Sequence, residues 1–225
     1  MPEHASTRKP VASPPASRRF SDAARDYDHH ARVQKHAALH LVQWLEQMLP
    51  AEFAPKACVD VGSGTGFLTE HLLNRFSNSA VHAVDVAQGM LSELKRKYPT
   101  ERLHTHLLNG EELAVEHLWI PNHSLLISGM CAQWFNNLEE AIRRWLSVSN
   151  TVAFSVLLDG SFQAWETAHG DTGQISGLRH LPCDEELQDI LHTLVAEGIA
   201  ARTANHTKDF LDHHPDGLSF ARSLR

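Results

Sequence analysis

The sequence predicts an α/β fold in which a mostly parallel sheet carries helices on both faces. The first observation is the run Cys58–Val61, a short β-branched stretch that three closely spaced glycines follow at once. The second is the apolar spacing after these glycines, which is that of a helix. The third is another apolar run, Ala80–Val84, which indicates a second strand and leads into Asp85. Strands that alternate with helices in this way are typical of a parallel sheet.

The N-terminal part of the chain divides into a tail and a helical region. Residues 1–17 are rich in proline, serine and alanine, so we expect a disordered tail before one domain over residues 18–225. Helical structure is expected from near Phe20 until Pro50 ends it. The apolar stripe of this region consists of Leu41, Trp44, Leu45 and Met48. Two roles are open for Phe20 and Tyr27: ordinary core aromatics, or a lid over a bound ligand.

Further strands and helices follow the second strand. The predicted strands are Leu103–Leu108, Ser124–Ser128, Thr151–Leu158 and a short sixth strand near Ile199–Thr203. Apolar stripes indicate helices through Met90 and Leu94, over Leu138–Trp145, and over Glu185–Val195.

Composition excludes several classes of function. The formal net charge of -7 gives no general footprint for nucleic acid, and no apolar run approaches the roughly 20 residues that span a bilayer. We therefore expect no nucleic-acid or membrane partner and a cytoplasmic location. The cysteines, Cys58, Cys131 and Cys183, lack the spacing of a disulfide framework or a zinc site. His36 and His40 share a helix face without a third ligand, so no metal site is expected.

The glycine run is the first candidate site. Gly62, Gly64 and Gly66 stand between a strand and a helix. Glycines let the backbone turn sharply and approach a ligand, and the free N–H groups of the helix N-terminus favour anionic groups. A dinucleotide fingerprint would have its last glycine where Phe67 stands. The spacing therefore indicates a different nucleotide-type ligand.

Asp85 is the second candidate. It stands at the end of the second strand, 19 positions after Gly66, where a carboxylate can accept hydrogen bonds from both hydroxyls of a ribose. Because several cofactors contain adenosine, Asp85 alone does not distinguish among them.

The pattern Asp60-x-Gly62-x-Gly64-x-Gly66 resembles motif I of class I S-adenosylmethionine (AdoMet) dependent methyltransferases. From Phe20 to Arg225 the chain also resembles the malonyl-[acyl-carrier-protein] O-methyltransferases of biotin synthesis. The parts that carry this second resemblance are Phe20-Ser21-x-Ala23-Ala24-x-x-Tyr27 with Val33-Gln34, the glycine loop, Gln133-Trp134, Ala153 to Phe162, and Leu181-Pro182.

The resemblance implies a Rossmann-like class I methyltransferase fold with AdoMet as cofactor and S-adenosylhomocysteine as product. It implies an O-methyltransferase that esterifies the free carboxylate of a malonyl thioester, presented by acyl carrier protein or coenzyme A. Asn109 replaces the acid that usually takes the adenine amino group, and its carboxamide can still do so. The cofactor-binding residues expected are Tyr27, Asp60, Gly62, Ser63, Gly64, Gly66, Asp85, Val86, Met90, Asn109, Gly110 and Glu111.

The catalytic residues expected are Gln133, Trp134 and Arg179. The first two follow the fourth strand, where substrate meets cofactor in open α/β sheets. An ionised acceptor carboxylate needs no general base, and no Ser-His-Asp or paired-acid arrangement is visible. It does need a cation or donors when buried, and Arg179 is the candidate for a bidentate clamp.

Three basic stretches are either docking patches for an acidic carrier protein or solvated faces: Arg18-Arg19, Lys95-Arg96-Lys97 and Arg143-Arg144.

Some positions depart from the family pattern, namely Ser63, Asn109, Ser124, Gly129 and a missing Pro-Gly-Gly turn before the fifth strand. The chain also stops where relatives continue, so we expect the last antiparallel strand of the fold to be absent or supplied in another way. Two alternatives stay open: a methyltransferase for another small acid or a quinone precursor, and a non-methylating, methyltransferase-like assembly factor.

Overall fold

A five-stranded parallel sheet forms the centre of the computed structural model, which describes residues 15–118, 124–173, 180–217 and 219. The strands are β1 (Ala57–Val61), β2 (Ala80–Asp85), β3 (Leu103–Leu107), β4 (Ser124–Gly129) and β5 (Thr151–Ser155). Their order across the sheet is β3-β2-β1-β4-β5, and every neighbouring pair is parallel.

Helices cover both faces of this sheet. They are α1 (Pro15–Ala23), α2 (Tyr27–His30), α3 (Arg32–Met48), α4 (Phe67–Arg75), α5 (Gln88–Lys97), α6 (Leu138–Val148), α7 (Gln163–Asp171) and α8 (Asp184–Ala196). Buried side chains of α3, α4 and α5 form the core on one face. Those of α6 and α8, together with Leu113 and Leu118, form the core on the other.

The alternation of side chains along β1 serves both cores. Cys58 packs into the core under α3 and α4, whereas Val59 and Val61 pack into the core under α6, and all three are fully buried. A strand that is apolar on both faces needs helices on both sides, which is why this run lies at the centre of the sheet.

The order of the strands places the site. β1 and β4 are neighbours, but the chain continues from β1 to β2 on one side and from β4 to β5 on the other. The connections after β1 and β4 therefore diverge and leave a crevice at the carboxyl ends of the strands. The glycine loop, Asp85 and the segment after Gly129 all begin at this edge.

The predicted sixth strand at Ile199–Thr203 is wrong. The amides of Ile199 and Ala200 both donate to the Leu194 carbonyl, and Gly198 has a φ of +72°. These are the features of a helix C-terminal cap, so the residues end α8 instead of joining the sheet.

Two other boundaries differ from prediction. β5 ends at Ser155, before the predicted Leu158, because the chain leaves the sheet and the Asp159 amide donates to the Pro182 carbonyl. The helix α1 begins at Pro15, inside the predicted tail, most of which lies outside the described residues. Among the described helices, none is long and apolar enough to cross a membrane.

We expect Arg102→Ala to lower the free energy of unfolding by about 1–3 kcal/mol. Its guanidinium donates to the carbonyls of Leu73, Phe76 and Ser79 at 3.0–3.1 Å and so satisfies the C-terminal end of α4. Urea unfolding would measure the loss. The control is Arg96→Ala, because Arg96 bonds to Glu93 on the exposed surface of α5 and should change the midpoint little. Equal midpoints for the two variants would contradict the capping role.

Candidate active site

The glycine loop is fixed to the end of β2. The amides of Gly62 and Ser63 donate to the Val84 carbonyl at 2.8 and 3.0 Å. Gly62 has a φ of +71°, and a Cβ there would lie 2.3 Å from the Cys131 sulfur. Gly64 also has a positive φ, +52°, but a Cβ there would meet no atom within 4 Å. The first glycine is thus required for packing, whereas the second borders open space.

Asp85 joins the loop to the tip of β2. Its Oδ2 accepts from the Gly64 amide at 2.8 Å, and its Oδ1 accepts from the Ala87 amide at 2.8 Å. Burial raises the pKa of Asp85, while the Ala87, Gly64 and Val86 amides act in the opposite direction. Each carboxylate oxygen can accept a further hydrogen bond, so Asp85 can hold the loop and still bind a ligand.

Most of the predicted site residues line one cleft of about 2870 Å³. Typical small-molecule pockets hold about 300–1,000 Å³, so the volume of this open cleft exceeds that of one typical ligand site. The predicted residues that line it are Tyr27, Gly62, Gly64, Asp85, Val86, Met90, Asn109, Gly110, Glu111, Gln133 and Trp134. Arg179 lies outside the described residues.

Asp60, Ser63 and Gly66 are not among the residues that line the cleft. Asp60 is 1% exposed and accepts a 2.6 Å hydrogen bond from the Thr69 hydroxyl on Oδ2, while Oδ1 has no partner. Burial raises the pKa of Asp60 to about 7. Gly66, with a φ of +102°, caps α4 where a Cβ would lie 2.9 Å from the Tyr98 ring.

Phe20 and Tyr27 pack in a small apolar core and also line the cleft. They pack against the buried residues Ala24, Ala87 and Met90, which makes them members of a small core cluster. They also line the cleft, where the Phe20 ring meets Trp134 edge-on at 5.9 Å. The N-terminal helices therefore form one wall of the cleft.

Polar contacts hold these helices in place. The Lys97 ammonium donates to Asp28 at 2.5 Å and to the Thr65 carbonyl at 3.0 Å, and the Thr65 hydroxyl also donates to Asp28. The Ser21 hydroxyl accepts from the Gly89 amide at 3.2 Å. Through these bonds the segment that begins α2 is anchored to the glycine loop, and α1 is anchored to α5.

The segment after β4 forms another wall. Met130 adopts a left-handed conformation with a φ of +53°, which costs a residue with a side chain about 1–3 kcal/mol. Its amide donates to Ser155, and its carbonyl accepts from Gln133 Nε2 at 2.7 Å. The other amide atom of Gln133, Oε1, is buried without a partner. Trp134 is 43% exposed.

Cys131 is a site residue that sequence reasoning did not select. Its sulfur lies against Gly62, and burial raises the pKa of the thiol, with further contributions from Asp85 and Asp60. A thiol in this setting stays protonated, so it is a packing group and not a nucleophile. Its place directly after the fourth strand was the signal that could have identified it.

Asn109 and Glu111 follow β3. Asn109 Oδ1 accepts from the Glu111 amide at 3.1 Å. The Glu111 carboxylate accepts from the amides of Asn136 and Asn137 at 2.7 and 2.8 Å. Glu111 therefore contacts the segment after β4, although it was predicted to contact the cofactor.

Two of the three predicted docking patches are engaged in ion pairs within the chain. Arg143 pairs with Glu139 and Glu197, and Arg144 pairs with Glu140. In the second patch, Arg96 pairs with Glu93 and Lys97 with Asp28. Arg18 and Arg19 are exposed on α1. The ion pairs of Arg96, Arg143 and Arg144 are those expected of solvated faces, whereas Lys97 is part of the anchor between α2 and the glycine loop.

Comparison with protein families gives a match over residues 58–151 to a family described as "Methyltransferase domain". The matched residues comprise β1 except Ala57, the glycine loop, β2 with Asp85, β3, β4 and the first residue of β5. This stretch of the chain is thus similar to a methyltransferase domain. The predicted fold class, an α/β fold with a parallel sheet between helices, is thereby confirmed.

Two curated relatives of this methyltransferase domain are named malonyl-[acyl-carrier protein] O-methyltransferase. The protein of Priestia megaterium is 32% identical over 72% of this chain and 58% of its own length. That of Neorickettsia risticii is 32% identical over 75% of this chain and 65% of its own length. The resemblance seen in the sequence is confirmed, and the chain spans about three-fifths of the length of these relatives.

A solved methyltransferase has the same fold. Magnesium protoporphyrin IX methyltransferase from Synechocystis PCC 6803, with bound SAH, aligns with a TM-score of 0.56 at 14% identity. The alignment covers 73% of this chain and 74% of that one.

Asp60 should make the stability of the protein depend on pH. Its folded pKa of about 7 exceeds the ordinary value of 3.8, so the folded state holds a proton that the unfolded chain releases between these values. Stability should therefore fall as pH rises from 4 to 7 and then level off. We expect Asp60→Asn to gain about 4 kcal/mol relative to the native chain over this interval.

Urea unfolding at pH 4 to 8 would measure this difference. The exposed variant Glu52→Gln is the control and should follow the native curve. A curve for Asp60→Asn parallel to that of the native chain would show that Asp60 is ionised throughout.

Proposed function

We propose that the chain is an AdoMet-dependent O-methyltransferase that esterifies the free carboxylate of a malonyl thioester. The observation that carries the proposal is the arrangement of Gly64 and Asp85 on the floor of a cleft whose sequence pattern is that of methyltransferases. The names of the relatives support malonyl-acyl carrier protein as the acceptor, with malonyl-CoA as the simpler form of the same thioester. The proposed reaction is then an early step of biotin synthesis.

The residues fit the adenosine and methionine parts of AdoMet. Gly64 leaves open space beside the loop, where an alanine would project into the cleft. The remaining lone pairs of Asp85 would accept the ribose hydroxyls, and Asn109 would contact the adenine. When bound, AdoMet supplies a methyl group that its sulfonium already activates.

The protein then has to orient the acceptor and exclude water, because an ionised carboxylate needs no base. Tyr27 and Cys131 both line the cleft, and burial raises the pKa of each, so neither supplies a base at neutral pH. Positioning of reactants can contribute roughly 7–11 kcal/mol to a barrier. Gln133 and Trp134, beside the Phe20 ring, are our candidates for that role.

Nothing among the described residues favours a quinone precursor as acceptor, or a function without methyl transfer. The cytoplasmic location stays a prediction from the sequence.

Gly64→Ala should weaken AdoMet binding by about tenfold or more, because the methyl group would occupy ligand space. The matched control is Gly198→Ala, since Gly198 also has a positive φ and open space around it but does not line the cleft. Both variants should lose about 1–2 kcal/mol of stability through backbone strain. Calorimetry with AdoMet separates the two effects. Equal AdoMet affinities in the two variants would contradict the placement of Gly64 in the binding site. A native chain that does not bind AdoMet would contradict the proposed methyltransferase activity.

Arg179→Ala should raise the KM for the malonyl acceptor by about tenfold or more while AdoMet affinity stays the same, because a buried carboxylate loses its charged partner. Arg179→Lys should recover part of the loss, since it keeps the charge without the bidentate geometry. Methyl transfer to malonyl-carrier protein, malonyl-CoA and other small acids is the assay. An unchanged KM in Arg179→Ala would contradict the proposed role of Arg179 in binding the acceptor carboxylate. Methyl transfer only to other acids would contradict the proposal that a malonyl thioester is the acceptor.

A further inference from the structure

Two loops at the carboxyl edge of the sheet form neighbouring walls of the cleft. The first, residues 108–112, follows β3 and carries Asn109 on the side proposed for adenine. The second, residues 130–137, follows β4 and carries Gln133 and Trp134 on the side proposed for the acceptor. A contact between these loops would therefore link the two sides of the cleft.

Glu111 bridges them directly. Its Oε1 accepts from the backbone amides of Asn136 and Asn137 at 2.7 and 2.8 Å, and its Oε2 accepts from Asn136 Nδ2 at 3.2 Å. Hydrogen bonds to a carboxylate are shorter and roughly twice as strong as those between neutral groups. One side chain of the first loop therefore satisfies two consecutive backbone donors of the second.

The bridge has firm supports at both ends. On its own loop, the Glu111 amide donates to Asn109 Oδ1, and the Gly110 carbonyl accepts from the buried Trp145 indole at 2.8 Å. On the other loop, Asn137 caps α6 by accepting from the Glu140 amide at 3.0 Å. The Phe135 ring packs edge-on against Trp145 at 5.6 Å. The carboxylate thus links two anchored segments and not two loose ones.

We propose that Glu111 is a positioning residue that locks the loop after β3 to the loop bearing Gln133 and Trp134. It acts through these loops and not as a ligand of the cofactor, which revises its sequence-based assignment. The proposal rests on the proposed function, because its kinetic consequence is that cofactor affinity and acceptor placement depend on the same carboxylate.

The geometry separates this role from direct binding. A glutamine at position 111 keeps a carbonyl oxygen that can accept both backbone amides, so it should preserve the lock without the charge. An alanine leaves both amides without their partner, so the second loop should become more mobile. A displacement of about 1 Å at a distant support can cost a large factor in rate.

The experiment compares Glu111→Ala and Glu111→Gln with Glu116→Ala, which removes an exposed acid that also follows β3 but does not line the cleft. Amide hydrogen exchange over residues 132–138 reports the lock without any ligand. Calorimetry gives the AdoMet affinity, and steady-state kinetics gives kcat and KM for malonyl-CoA. Exchange in β1 shows whether each variant is folded.

We expect Glu111→Ala to speed exchange at Asn136 and Asn137, to weaken AdoMet binding about tenfold and to lower kcat as well. Glu111→Gln should stay within about threefold of the native chain in each measurement, and Glu116→Ala should match the native chain. Unchanged exchange or unchanged kinetics in Glu111→Ala would overturn the proposal, as would a glutamine variant as impaired as the alanine one. If the native chain does not bind AdoMet, the proposed function fails, while the exchange data still decide whether the lock exists.

Discussion

The carboxylate of Asp85 holds the glycine loop against the tip of β2, and the layout of the cleft depends on that junction. Without it, the amide of Gly64 would lack its partner, and the loop would be attached to β2 only through the Val84 carbonyl. Because each carboxylate oxygen accepts one backbone amide and has capacity for another hydrogen bond, the same group organises the loop and faces the cleft. One side chain thus supports the loop and keeps acceptor capacity at the cleft.

Several buried groups around this junction cost stability. Asp60 Oδ1, Ser63 Oγ and Gln133 Oε1 are buried without a hydrogen-bond partner, and Met130 has a left-handed backbone. An unpaired buried polar group costs about 1–3 kcal/mol. Such costs concentrate at functional sites because the residues there are selected for what they bind and not for the stability of the empty site. Of these residues, Met130 and Gln133 line the cleft, whereas Asp60 and Ser63 belong to β1 and the glycine loop.

The N-terminal helices and the loops after β3 and β4 complete the cleft by a common principle. In each case a charged side chain makes several hydrogen bonds to a segment far away in sequence: Lys97 to Asp28 and Thr65, and Glu111 to Asn136 and Asn137. Hydrogen bonds of this kind fix orientation as well as distance. The walls are therefore set by a few specific contacts above a sheet that apolar packing holds together.

The sequence by itself determined the central unit of the fold. The β-branched run before Gly62, the helical spacing after Gly66 and the strand that ends at Asp85 are local patterns, and local periodicity predicts local structure. It also predicted that Gly62, Gly64 and Asp85 would lie together, because the ends of neighbouring parallel strands meet at one edge. It failed at Ile199–Thr203, where a short apolar run fits a strand as well as a helix cap, and only the contact with Leu194 decides between them.

Only the tertiary structure decided the contacts that join distant segments. The packing of Cys131 on Gly62, the Lys97 bridge to Asp28 and the three hydrogen bonds of Glu111 link residues 25 to 69 positions apart. Such pairs leave no trace in the pattern of either segment, since each side chain is compatible with many partners until the sheet order is known. The residues of the glycine loop could therefore be identified from the sequence. The other walls of the cleft depend on contacts between segments that are distant in sequence.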